Sequence, residues 1–252
     1  MKTWKKALVF ALCLLPVGLI GGWCTAEMTI AAMAPSMMEE GIRQLGSVEA
    51  LKAVVVAQSV FYAVVLGFFG YMLSEKIGLM RPFRFEKAVV IRVLLISAVC
   101  GAVFSLDAWT FAAWIPQLKE SYAAAGSFDA VTWIASILYG GVIEEVMMRL
   151  FLMSLFALIG WKLFFRKEAA VPVKVLIGAN VLAALLFAAG HLPATMTTFG
   201  ELTPLIILRC FLLNGAVGLV FGRLYRKYGI QYAMLAHALL HIVSRTVWLI
   251  AL

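Results

Sequence analysis

Charge is scarce in this chain. Only 13 % of its residues are Asp, Glu, Lys or Arg, about half the share of an ordinary soluble domain. Histidine is rarer still, with three in 252 residues. The four cysteines (Cys13, Cys24, Cys100, Cys210) are scattered through apolar segments without metal-type spacing, which excludes a disulfide framework or a zinc ribbon and leaves free thiols as the expectation. The zincin pattern H-E-x-x-H is missing, no serine or cysteine stands in a nucleophile's context, and there is no internal repeat, low-complexity tract or soluble domain. What fills the chain is apolar: 64 % hydrophobic residues and a mean hydropathy of +1.00. Apolar stretches of about 20 residues cross a bilayer as helices, so the composition predicts an all-α, polytopic transmembrane helix bundle of about seven helices.

The net charge of +8 does not point to nucleic acid, because its distribution follows the membrane. Lys2, Lys5 and Lys6, then Lys76, Arg81, Arg84 and Lys87, then Lys162, Arg166, Lys167 and Lys174, then Arg223, Arg226 and Lys227 fall at ends and loops of one side. Arg43, Lys52 and Lys119 fall on the other. That alternation is the positive-inside pattern. It predicts a cytoplasmic amino terminus and an outer carboxyl terminus, with the basic side facing anionic lipid.

Residues 2–6 are basic and 7–23 apolar, the start of a secretory signal as well as of a first span. Trp23 and Cys24 make poor cleavage context, so the segment is expected to be kept. Residues 25–46 read as an outer loop and 50–73 as the second span, which ends at Ser74-Glu75-Lys76, where a basic inner loop to Lys87 begins. Span three covers about 88–106, with Arg92 placed to snorkel. An outer segment, 107–129, carries Trp109 and Trp114 of an interfacial belt. Span four runs over about 130–160, and spans five to seven over about 174–192, 203–222 and 231–251.

Two adjacent carboxylates, Glu144 and Glu145, lie inside span four, and every other Asp or Glu falls in a loop or at a span end. Each intramembrane carboxylate costs roughly 2.5–3.5 kcal/mol on insertion scales, which marks a functional site. Glu145 and Arg149 are four residues apart, in the favourable order for an ion pair, so Glu145 is expected to neutralise Arg149. Glu144, rotated about 100° on an ideal helix, is free to face a polar cavity. Gly140 and Gly141 remove bulk one turn earlier, which suits close helix approach or a substrate backbone.

All three histidines lie downstream in or beside spans. His237 and His241 share a face of the last helix, and Asn180, Ala184, Phe187 and His191 form one stripe of span five. One carboxylate with several imidazoles can activate a water as general base and stabilise an oxyanion. The same His191, His237, His241 and Glu144 set suits Zn²⁺, and the sequence leaves metal-assisted and metal-free chemistry open. A depth mismatch stands against convergence. By helical rise, Glu144 and His191 lie about 24 Å from the inner side and His237 about 10 Å.

These residues resemble the CPBP family, the intramembrane proteases grouped with CAAX prenyl endopeptidases and bacteriocin-processing or immunity proteins. Its E-E-x-x-x-R motif is similar to Glu144-Glu145-Val146-Met147-Met148-Arg149, and F-x-x-x-H to Phe187-Ala188-Ala189-Gly190-His191. The third motif, H-x-x-x-N, is similar to His237-Ala238-Leu239-Leu240-His241, with histidine where asparagine is common. The likeness covers roughly 130–248 and implies a protease core over 129–252, while residues 1–128, without an intramembrane acid or histidine, read as an N-terminal scaffold. It implies an endopeptidase acting on membrane-associated peptides or proteins in a bacterial-type cell membrane. Glu144 would activate the water with His191, while His237 and residue 241 would line the oxyanion side. The alternative is a non-catalytic protein of the same fold that binds peptides as an immunity or secretion partner. A proton-coupled transporter is a third reading, and the chain lacks the paired inverted halves that would favour it.

Overall fold

The computed structural model describes residues 2–252. Apolar runs in a bilayer must satisfy every backbone N–H and C=O internally, and a helix does so. Among the described residues six helical stretches are long and apolar enough to cross a membrane: Thr3–Ala31, Val48–Lys76, Lys87–Ala113, Val173–Phe199, Pro204–Tyr228 and Ile230–Ala251. A further helical stretch, 130–164, is continuous and carries the double glutamate. The architecture is the expected polytopic helix bundle. We number the helices α1 (Thr3–Ala31), α2 (Pro35–Leu45), α3 (Val48–Lys76), α4 (Lys87–Ser105), α5 (Pro116–Ala125), α6 (130–164), α7 (Val173–Gly190), α8 (Leu192–Phe199), α9 (Pro204–Tyr228) and α10 (Ile230–Ala251).

Residues 25–46 are not the loop their polarity suggests. α1 runs on to Ala31, because its Glu27 is paired with Lys52 of α3 (Nζ–Oε1 2.8 Å). Residues 35–45 then form α2, opened by Pro35 in its first turn and closed by Gly46 at φ 89°. The outer segment after α4 is likewise ordered, as two short 3₁₀ turns and α5.

α6 is the centre of the bundle. Asp129 caps its amino end, accepting from the N–H groups of Val131 (3.2 Å) and Thr132 (3.0 Å). Its backbone then takes wide, π-type turns over Ser136–Ile143 and Val146–Met153, on either side of Glu144 and Glu145. Such turns are rare and frequent at functional sites. α1 meets α6 through Gly21, next to Leu138 and Tyr139, and α3 meets it through Gly70, next to the Leu150–Phe151 backbone. A groove of about 620 Å³ between α1 and α3, lined by Leu19, Trp23 and Lys52 among others, has no residue of α6 in its lining. On another side α7 and α9 pack antiparallel, with Asn180 donating to the Leu219 carbonyl (3.0 Å).

α10 completes the ring around α6 and is backed by α4, where Trp248 Nε1 donates to the Ser105 carbonyl (2.9 Å). α10 and α6 run antiparallel, with Arg245 beside Ser136, His241 over Gly140, Ala238 over Gly141 and His237 against Glu145. In this register α10 starts opposite the middle of α6, and Ser154–Phe164 runs on past that start. The depth mismatch has its origin there. Counting inward from the end of α6 places Glu144 too far from His237.

Candidate active site

Glu144 ends the first run of wide turns on α6, and its carboxylate sits between two imidazoles. Its Oε1 is 3.8 Å from His191 Nε2 and its Oε2 is 3.9 Å from His237 Nε2. Both separations exceed hydrogen-bond range, so neither imidazole bonds the carboxylate directly. The Glu144 side chain keeps 13 % of its surface exposed and His191 30 %, against 3 % for His237. The cluster is therefore open on the Glu144–His191 side and sealed behind His237.

Each imidazole is oriented from behind. His191, at the end of α7, has Nδ1 2.8 Å from the Phe187 carbonyl. A carbonyl only accepts, so Nδ1 carries the hydrogen and Nε2 presents a lone pair to Glu144. His237 Nδ1 lies 2.9 Å from Glu145 Oε1, and a carboxylate partner fixes the same tautomer. Two acceptor nitrogens thus face one carboxylate.

Glu145 does more than the sequence assigned to it. It meets Arg149 (Oε1–Nη1 3.3 Å), as expected from the spacing, and the same oxygen holds His237. Both Glu145 and Arg149 are sealed from solvent. Arg149 also donates to the Gly218 carbonyl (3.1 Å), and its guanidinium lies against the rings of Phe187 (4.7 Å) and Phe221 (5.7 Å). Phe187 in turn packs edge-on against His191 and His237, while Phe221 stacks on His237 at 4.6 Å. The F-x-x-x-H motif therefore supplies a wedge that touches both histidines and the arginine.

His241 is placed differently from the other three candidates. It stacks on His237 at 4.9 Å, with Nε2 over Gly140, where a Cβ would come within 2.6 Å of it. No hydrogen bond or ion pair joins it to Glu144 among the described residues. Gly140 is thus what admits the His241 ring, and Gly141 admits Ala238. Among the described residues no group of three or more His, Cys, Asp or Glu side chains is placed to hold a metal ion. Of the four candidates His191, His237 and Glu144 come together, with donor atoms 3.8–3.9 Å apart, while the His241 ring turns to Gly140.

Sequence reasoning passed over two arginines inside the bundle. Arg209 of α9 grips the buried Asp107 with Nε (2.9 Å) and Nη2 (2.5 Å) on Oδ2, and Tyr122 donates to the same carboxylate (2.5 Å). Arg245 of α10 donates from Nε to Ser136 Oγ (2.7 Å). The signal was available, since a cation in an apolar run needs a partner, and that rule was applied only to Arg149.

Fold and site define a polytopic helical membrane protein with an accessible glutamate–histidine cluster braced by a buried ion pair. Residues 126–243 match the family model described as type II CAAX prenyl endopeptidase Rce1-like, in agreement with the resemblance carried by the three motifs. The matched region contains Glu144, Glu145, Arg149, Phe187 and all three histidines, and it supports an intramembrane endopeptidase in general terms. Comparison with curated proteins and with solved structures gives no match.

Proposed function

We propose that the protein hydrolyses peptide bonds of membrane-associated substrates, with Glu144 as the general base. The observation that carries this reading is one carboxylate between two imidazole nitrogens at 3.8 and 3.9 Å. A water in that gap donates one hydrogen to Glu144 and the other to His191 Nε2, leaving an oxygen lone pair free to attack a carbonyl carbon. Glu144 takes the proton, the tetrahedral oxyanion forms on the His241 side, where that ring can present an N–H, and Glu144 returns the proton to the leaving nitrogen as the C–N bond breaks. Glu145 acts through His237, whose tautomer it holds, and through Arg149. The first half of the chain serves as scaffold, since α1 and α3 back α6 through Gly21 and Gly70. The amino terminus lies in the cytoplasm of a bacterial-type cell, following the basic loops.

The test compares purified wild type with Glu144→Gln on a panel of membrane peptides. Loss of cleavage by about 10²-fold or more is expected for a general base. Equal cleavage contradicts the assignment, and an unchanged cellular phenotype for Glu144→Gln favours the peptide-binding alternative. Dialysis against EDTA separates the two water-activating routes. Activity that survives it supports the glutamate route, and activity lost to EDTA and restored by Zn²⁺ replaces that route with a metal site.

A further inference from the structure

A second groove, of about 390 Å³, runs between the end of α6 and the start of α7. Its lining includes Phe156 and Gly160 of α6, Phe165 just beyond that helix, and Lys174, Gly178 and Leu182 of α7. Two glycines make the space. A Cβ on Gly178 would meet nothing within 4 Å, and one on Gly160 would meet only Val175 Cγ1, at 3.0 Å. The two helices run antiparallel, with Phe165 beside Lys174 and Arg149 beside Phe187. From Lys174 to Leu182 the groove follows eight residues of helix, about 12 Å. That is most of the roughly 15 Å of hydrocarbon in one leaflet.

The mouth of the groove is basic and held in place. Phe165 N–H donates to the Trp161 carbonyl (2.8 Å) and Trp161 Nε1 to the Glu168 carbonyl (3.2 Å), which folds the loop back on the last turn of α6. The Phe165 ring carries the Lys174 ammonium at 4.3 Å, and the Trp161 ring carries that of Lys162 at 4.1 Å. Both partners are neutral. Among the described residues no carboxylate lies within ion-pair distance of Lys162, Arg166, Lys167 or Lys174. Those four face a single acid, Glu168, in residues 162–174. Leu163, Phe164, Val173 and Ile177 are exposed, so this face of the bundle meets acyl chains. An apolar trough that starts at unneutralised cations and opens to the bilayer complements a lipid with a negative headgroup.

We propose that this groove binds one anionic phospholipid, with an acyl chain laid along Gly160 and Gly178 and the headgroup phosphate on Lys174. The site goes beyond the protease reading and does not depend on it. Detergent-purified protein is titrated with phosphatidylglycerol or phosphatidylcholine, and retained lipid is counted by native mass spectrometry. The variants are Lys174→Gln, Lys174→Arg, Gly178→Leu and Lys87→Gln.

Wild type should retain phosphatidylglycerol about fivefold more tightly than phosphatidylcholine, the effect of about one basic residue beside anionic charge. Lys174→Gln should remove the preference and Lys174→Arg should keep it. Gly178→Leu fills open space in the trough, and should cut retention of both lipids at least fivefold with an unchanged circular-dichroism spectrum. Lys87→Gln, on the same basic side but outside the groove, should change nothing. Equal retention of the two lipids by wild type, a preference that survives Lys174→Gln, or full retention by Gly178→Leu overturns the proposal. So does a loss in Lys87→Gln as large as in Lys174→Gln, which would mean an unspecific anionic shell. Displacement of the lipid by soluble glycerol 3-phosphate would make this a site for free phosphate, and a wild-type dimer lost in Gly178→Leu would assign the groove to a second copy of the chain. Either result also overturns it.

Discussion

Glu145 is the residue on which the buried half of the site depends, because one of its oxygens serves both Arg149 and His237. Replacing one partner of a buried ion pair leaves the other charge uncompensated, at about 3–5 kcal/mol. Glu145→Gln is therefore expected to lower the thermal midpoint and the cleavage rate together. Glu144→Gln, at an accessible carboxylate, should lower the rate with a far smaller change in midpoint. Circular-dichroism melts beside peptide cleavage check the contrast. The pairing with Arg149 was legible from the i,i+4 spacing alone. The bond to His237 was not, since it joins residues 92 apart in the chain and arises from the register of two helices.

At the scale of helices, the approach of α10 to α6 decides where His237 stands. A Cβ on Gly141 would lie 2.7 Å from Ala238 Cβ and 2.9 Å from Ala238 Cα, so Gly141→Ala forces the two helices apart. A Cβ on Gly160 would meet only the end of the Val175 side chain, at 3.0 Å. We expect Gly141→Ala to cut cleavage by an order of magnitude or more with helix content unchanged, and Gly160→Ala to be tolerated; far-ultraviolet circular dichroism and cleavage rates together check this. The Asp129 cap can be followed by pH. The Thr132 hydroxyl first, and the Thr132 and Val131 N–H groups with it, hold its carboxyl below the usual range. Its stabilisation is thus complete above about pH 4, where the unfolded carboxyl is also ionised, and fades as pH falls through the folded value. A cap of this kind contributes about 1 kcal/mol. The melting gap between wild type and Asp129→Ala should be present at pH 7 and close towards pH 3.

For the molecule as a whole, hydropathy located the long helices because membrane length and apolar composition dictate them. It failed where polarity came from paired charges. The Glu27–Lys52 pair let α1 extend through residues expected to be loop. The Asp107–Arg209–Tyr122 cluster likewise ties the segment after α4 to α9. The candidate site was legible as a list of residues, Glu144, His191 and His237, but the count of helical rise set them at different depths, because it assumed helices that end at one level.

The central claim is that Glu144 and His191 act on one water. The most direct measurement is a double-mutant cycle on cleavage rate, with wild type, Glu144→Gln, His191→Ala and the double variant. Groups that act as a unit are strongly non-additive. The account predicts a double variant no slower, within about threefold, than the slower single variant. Multiplicative losses would mean that the two residues act independently, and would contradict the shared water.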